Sequence, residues 1–310
     1  MKVIYLASIV AAIAVVFVAT SLTQGIFAEP KQTASQSPTH STESASSNHT
    51  VPRKDKVGDI LSAVINIEGK KETVNIQLSK MLFKITPNYD KNREITSLNM
   101  TLKPEMHDKY KKIGFSEKSK KTVFVYPIFT QAAYNSNGFY NYYRKTCDTK
   151  CLTVNIPTKF QNTYTASGTA SLVLKLLNYS HITDIEVDKN PDILKKYDKI
   201  IILHNEYVTK KEFNAITHHP NVVYLYPNAL YAEVKTDYNK NTITLVRGHG
   251  YPYANMANGF AWKYDNSKYE YDVKCENWAF YKIDNGKMLN CYPDIFISSD
   301  QSLLAAIKNR

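Results

Sequence analysis

Between residues 121 and 226, short apolar runs alternate with segments whose apolar side chains recur at helical spacing, and that alternation leaves the chain few folds to choose from. Thr122-Val123-Phe124-Val125-Tyr126 is a continuous apolar run, as strands buried on both faces are. Residues 170–177 are apolar at helical spacing, residues 182–187 read as a strand, and Pro191 opens a short helix, since proline is tolerated in a first turn. Lys199-Ile200-Ile201-Ile202-Leu203 is the strongest strand in the chain. Residues 210–217 come next as a helix and residues 222–226 as the next strand. Such alternation with short links implies a parallel sheet wrapped by helices. After Asn228, strands return at residues 232–235 and 242–246, and the run from Asp294 to Ile297 feeds an amphipathic helix through Ile307. The expectation for residues 121–310 is an α/β domain centred on a parallel sheet with flanking helices.

The preceding residues differ in texture. In residues 57–120, polar and apolar side chains alternate at 63–67, 73–78 and 95–102, the pattern of antiparallel strands with one wet face. This predicts a small β region packed on the α/β domain. Residues 1–28 hold one lysine near the start and then an uninterrupted apolar stretch, long enough to cross a bilayer. Ile26-Phe27-Ala28 supplies only half of a small-residue cleavage site, so an uncleaved membrane anchor is expected, with a cleaved signal peptide as the alternative. Residues 29–56 are rich in Ser, Thr, Gln and Pro and bury too little to fold, which predicts a flexible stalk. Together these features place the protein on the outer face of the cell membrane or secreted, with the membrane as its first partner.

Four cysteines in an exported chain point to disulfides, and the spacing favours local pairing, Cys147 with Cys151 and Cys275 with Cys291. A zinc site from the four thiols is the alternative, although neither pair has the two-residue spacing of a zinc knuckle. Asn48, Asn99 and Asn178 each begin a glycosylation sequon. The net charge of +11 fits either a generally basic surface or attraction to an anionic envelope polymer. The lysines are scattered and no nucleic-acid module is present, so no specific nucleic acid is expected.

In a parallel α/β sheet, ligands bind outside the carboxyl ends of the strands. Three segments fall there: residues 133–143 with Tyr134, Asn135, Gly138 and Tyr143, then His204-Asn205-Glu206-Tyr207, then Pro227-Asn228. An imidazole, a carboxylate, phenols and amides would converge on one crevice, where they could ligate a metal or move protons. Each also has a plain structural role open to it. His204 could end its strand with a backbone hydrogen bond, Glu206 could cap the helix beginning near Thr209, Tyr134 and Tyr143 could be core aromatics, and Asn135 and Asn228 could be turn residues.

Ala133-Tyr134-Asn135 with Gly138 and Tyr143, then Tyr197-Asp198 before a strand ending in His204-Asn205-Glu206-Tyr207, then Asn228 with Tyr231, resembles the C-terminal domain of the N,N-dimethylformamidase large subunit. The resemblance covers residues 121–234 and implies a fold related to class I glutamine amidotransferases. It departs from that pattern at Asn137, Phe139 and Val208. It further implies a mononuclear iron held by carboxylate and phenolate oxygens, here Glu206 with Tyr134 or Tyr143, and His204 beside it or in acid–base work. His204, Glu206 and Asn228 would then form the catalytic set. Hard Fe(III) suits such oxygen ligands and can activate water toward an amide. Two functions are expected from this: a binding or envelope protein that keeps the fold without the chemistry, or an iron-assisted hydrolase of a small amide or another C–N bond.

Overall fold

The structure, a computed structural model, describes residues 16–18, 60–67, 70–89, 91, 95–135, 137–160, 167–294 and 296–309. The expected anchor at residues 1–28, apart from residues 16–18, lies outside these residues, as do the stalk at 29–56 and the Asn48 sequon. Among the described residues no helix is long and apolar enough to cross a membrane.

A six-stranded sheet forms the centre, in the spatial order Phe280–Ile283, Gly286–Leu289, Val222–Tyr224, Lys199–Ile202, Thr122–Tyr126, Ser180–Thr183. All neighbours are parallel except the Phe280–Ile283 edge, which is antiparallel to Gly286–Leu289. Ranked by sequence, the five parallel strands run 2-1-3-4-5, a common order of doubly wound sheets. Their near-continuous apolar runs are explained by burial on both faces, because successive side chains of a strand point to opposite layers. Phe124, Ile201, Leu203 and Val223 face one layer, with helices Gly168–Leu176 and Gln301–Asn309. Val123, Val125, Ile200, Ile202, Val222 and Tyr224 face the other, with Val187, Leu194 and Ile216 from the helical segments there.

A second sheet, Tyr207–Val208, Ala232–Asp237, Thr242–Arg247 and Thr153–Asn155, stands beyond the carboxyl ends of the first. Helix Ile128–Tyr134 packs against it through Ile128, Phe129, Ala132 and Ala133, which share a core with Tyr207, Val234 and Leu245. In the N-terminal region, Ile60–Ile67 pairs antiparallel with Lys70–Gln77 and with Val16–Val18, and Phe83–Tyr89 pairs with Ile95–Leu102. Leu82, Phe83 and Met100 enter the same core as Phe124 and Leu174. This hairpin therefore completes the α/β core.

Two local readings need correction. Residues 182–187 are not one strand: Ser180–Thr183 ends at Thr183, which caps helix Asp184–Lys189 through a reciprocal pair with Glu186. Helix His107–Ile113 lies inside the region read as β only. Both expected disulfides are present, Cys147–Cys151 and Cys275–Cys291, and the cysteines leave no thiol free for zinc. Asn99 is exposed, whereas the Asn178 amide donates to Phe115 O at 2.9 Å and ties its turn to a distant segment.

Candidate functional site

The order of the strands reverses between Thr122–Tyr126 and Lys199–Ile202, so the crevice of a doubly wound sheet opens there. Helix Ile128–Tyr134 leaves the first of these strands and brings Tyr134 to its last turn. Residues 203–206 leave the second. Thr130 Oγ1 accepts from the backbone N–H of Glu206 at 3.0 Å and of Tyr207 at 3.2 Å, tying the helix to that segment. From the third strand end, Tyr231 and Ala232 N–H both donate to Glu206 O at 2.9 Å, and Leu230 N–H donates to Asn205 O at 2.9 Å. The backbone of Glu206 is thus fixed from both neighbouring strand ends.

Its side chain is fully buried. The Tyr134 hydroxyl donates to Glu206 Oε2 in a short hydrogen bond, and His204 Nε2 lies 3.7 Å from the same oxygen. His249 Nε2 touches Oε1 at 2.5 Å without the angles of a hydrogen bond. Oε1, His249 Nε2 and both ring nitrogens of His204 are buried without hydrogen-bond partners, and so are both side-chain polar atoms of Asn205. Tyr140 packs edge-on against Tyr134 at 4.7 Å and interacts with its hydroxyl. Native interiors rarely leave so many polar atoms unpaired in one place.

Burial pushes the Glu206 carboxyl up, but the imidazoles of His249 and His204 and the Tyr134 hydroxyl outweigh it, so its pKa falls below the usual carboxylate range. The same burial, with Glu206 beside it, raises Tyr134 well above an ordinary phenol, and the proton of that pair stays on Tyr134. His204 is pushed down by burial and sits neutral.

Of the residues singled out from sequence, Tyr134, His204 and Glu206 come together. Glu206 does not cap the next helix, because Thr209 and Glu212 form the capping box of Lys210–Thr217. His204 makes no backbone hydrogen bond through its ring. Tyr143 is adjacent but committed elsewhere: its hydroxyl lies 3.2 Å from that of Tyr207 and its ring packs against His249 at 5.3 Å. Asn228 occupies a left-handed turn at φ 56°, and its Oδ1 is buried without a partner. The sequence reading missed Tyr140 and, above all, His249. Its signal is Gly248-His249-Gly250 directly after strand Thr242–Arg247, with positive φ at all three residues. A non-glycine residue held there with a buried imidazole marks a position kept for more than chain reversal.

Among the described residues no group of three or more His, Cys, Asp or Glu is disposed to hold a metal ion. An ion at Glu206 would therefore depend on phenol oxygens, and Tyr134, on Oε2, with Tyr140 beside it, supplies them. That oxygen set fits a hard cation such as Fe(III). A cleft of about 650 Å³ opens from the surface onto His249, lined by Tyr142, Tyr143, Lys145 and Asp148 among others, and His249 separates it from Glu206. A second cleft of about 700 Å³, with Tyr197, Asp198 and His219, lies at the opposite, amino ends of the strands, away from these groups. No family model matches the chain, and no curated protein matches it.

Proposed function

We propose that this is an exported, membrane-anchored cell-surface protein whose α/β domain, of the N,N-dimethylformamidase and glutamine amidotransferase type, is an iron-assisted hydrolase of amide or other C–N bonds. The observation that carries the reading is the buried, ionised Glu206 meeting Tyr134 and His249 at the switch point, with both ring nitrogens of His204 left without hydrogen-bond partners beside it. The apolar N-terminus and two disulfides support an oxidising, external compartment. Glu206 and Tyr134 would hold the ion, with Tyr140 beside them. Bound there, iron would supply Lewis-acid polarisation of the carbonyl and an activated water. Glu206 contributes a fixed charge in a dry site, where electrostatic interactions act strongly. To serve as a phenolate, Tyr134 would have to give up its hydroxyl proton. His204, neutral and unpaired, can accept a proton at Nε2.

One observation favours a second reading, a binding protein without chemistry: the carboxylate itself has no exposure, and the cleft meets His249 before Glu206. In that case the +11 charge would draw an anionic envelope polymer. Metal analysis of the purified full chain decides between them. Stoichiometric iron, lost in Glu206→Gln while the far-ultraviolet circular dichroism is unchanged, is the expected result. A chain that takes up no iron on reconstitution would leave the binding reading.

A further inference from the structure

The cleft above Glu206 says something about the substrate, on the reading that Glu206 marks a hydrolytic centre. Its volume of about 650 Å³ falls within the range of pockets for drug-sized ligands, and a small dialkyl amide would fill only a fraction of it. Its rim is built in advance. Lys145 N–H donates to Tyr142 O at 2.9 Å, Thr146 N–H donates to Asn141 O at 2.9 Å, and the Cys147–Cys151 disulfide joins the rim to the short helix Thr149–Leu152. Preformed walls reduce the ordering cost of binding. Two of the walls are aromatic: Tyr142 stands edge-on to Tyr251 at 5.8 Å, and Tyr143 packs on His249.

The charges in the cleft are not balanced. Asp148 accepts from Lys150 N–H at 2.8 Å and lies 3.8 Å from Lys150 Nζ, so its charge is answered within the chain. Lys145 is exposed, and among the described residues no carboxylate comes within ion-pair distance of it. The cleft therefore offers an uncompensated ammonium at its mouth, two phenol rings along its wall, and His249, with a side chain only 3% exposed, between it and Glu206.

We propose that this cleft binds the substrate, and that the substrate is an amide bearing a carboxylate, of the size of an N-acylated amino acid or a short peptide. The carboxylate sits at Lys145, the body lies along Tyr142 and Tyr143, and the amide points toward His249 and the centre behind it.

The test compares N-acetyl-L-tyrosine with N-acetyl-L-tyrosinamide, which differ in charge but hardly in size, by calorimetric titration of the full chain at low salt. The acid is expected to bind about three- to fivefold more tightly, the range of one exposed ion pair. That preference should vanish in Lys145→Met, reverse in Lys145→Glu and shrink as salt is added. Equal binding of the two probes, no binding of either, or a preference that survives both substitutions would overturn the proposal. Iron content of the same preparations separates the two ideas. A charge preference without iron removes the hydrolytic reading and leaves the cleft assignment, whereas iron without a preference removes the cleft assignment alone.

Discussion

Two groups of buried carboxylates lie at the carboxyl ends of this sheet, and they are kept in opposite states. Glu206 is surrounded by two imidazoles and a phenol, and its pKa is held below the ordinary range despite full burial. Asp184 and Glu212 are buried to the same degree and are pushed well above it, by burial first and by neighbouring carboxylate charge among the remaining causes. Their partners are backbone and hydroxyl groups: Phe129 and Ile185 N–H on Asp184, and Thr209 N–H on Glu212. Asp188 beside them accepts from Thr209 Oγ1 at 2.6 Å and Tyr238 Oη at 2.7 Å. Burial alone does not fix the charge of a carboxyl group; what faces it does. One group is arranged to keep a charge that something else must answer. In the other, Asp184 and Glu212 hold protons; Asp184 meets the start of helix Ile128–Tyr134, and Asp188 in the last turn of Asp184–Lys189 meets the cap of Lys210–Thr217.

The comparison breaks most readily at Glu206. Glu206→Gln removes a buried charge that faces two imidazoles and should cost about 3 kcal/mol in urea denaturation at pH 7. Glu212→Gln replaces a protonated carboxyl by a neutral group of the same shape and should cost less than about 1 kcal/mol at pH 5. Equal costs at the two sites would mean that they do not differ in charge.

The pH dependence sharpens the same contrast. A carboxyl whose folded pKa is raised binds its proton more tightly in the folded state, so its contribution is full below the unfolded pKa and is lost as pH rises toward the folded value. The slope is about 1.4 kcal/mol per pH unit for each proton held. Asp294, pushed up to about 6, acts this way over a window that ends near that pH. Asp184 and Glu212 are raised as well and act with the same sign. Glu206, with a lowered pKa, has the opposite sign: its stabilisation is present above the ordinary carboxyl pKa and is lost as pH falls through the folded one. The neutral His204 likewise loses stability as pH falls below the usual imidazole range. Wild type and Glu212→Gln compared from pH 5 to pH 8 isolate the one group. The variant should overtake wild type as pH rises, and parallel curves would show Glu212 to be ionised in the folded protein.

Smaller effects test the supporting contacts. Thr209→Ala removes a helix cap and the hydroxyl on Asp188, and should cost about 1–2 kcal/mol without changing iron content. Tyr143→Phe should retain iron and lose less than about 1 kcal/mol, since its hydroxyl meets only Tyr207 in the described hydrogen bonds. Loss of iron in that variant would return Tyr143 to the ligand set.

How much of this was legible in sequence depends on how local the cause was. Thr122–Tyr126 and Lys199–Ile202 were readable because strands covered on both faces must be apolar throughout. Helix Lys210–Thr217 was readable from its periodicity. Helix Asp184–Lys189 was not, although it opens with the same Thr-x-x-Glu pattern, because Ile185 and Val187, two apart, look like strand alternation when the cap is overlooked. Glu206 could be found because it closely follows strand Lys199–Ile202, and Tyr134 because one short helix, Ile128–Tyr134, carries it on from the end of Thr122–Tyr126. His249 could not be found by that rule. It reaches Glu206 only because Tyr207–Val208 pairs with Ala232–Asp237, which pairs in turn with Thr242–Arg247, and those pairings are set by tertiary packing.

The crowd of tyrosines around the centre also gives the molecule an optical property. Tyr134, Tyr140, Tyr207, Tyr226 and Tyr292 are all held far above the range in which phenols ionise in water, whereas Tyr253 stands 67% exposed. In alkaline solution the absorbance of the inner rings should stay that of the neutral phenol until the chain opens, and then change together. Their ultraviolet spectrum would serve as a built-in clock for loss of the fold, read without any added dye.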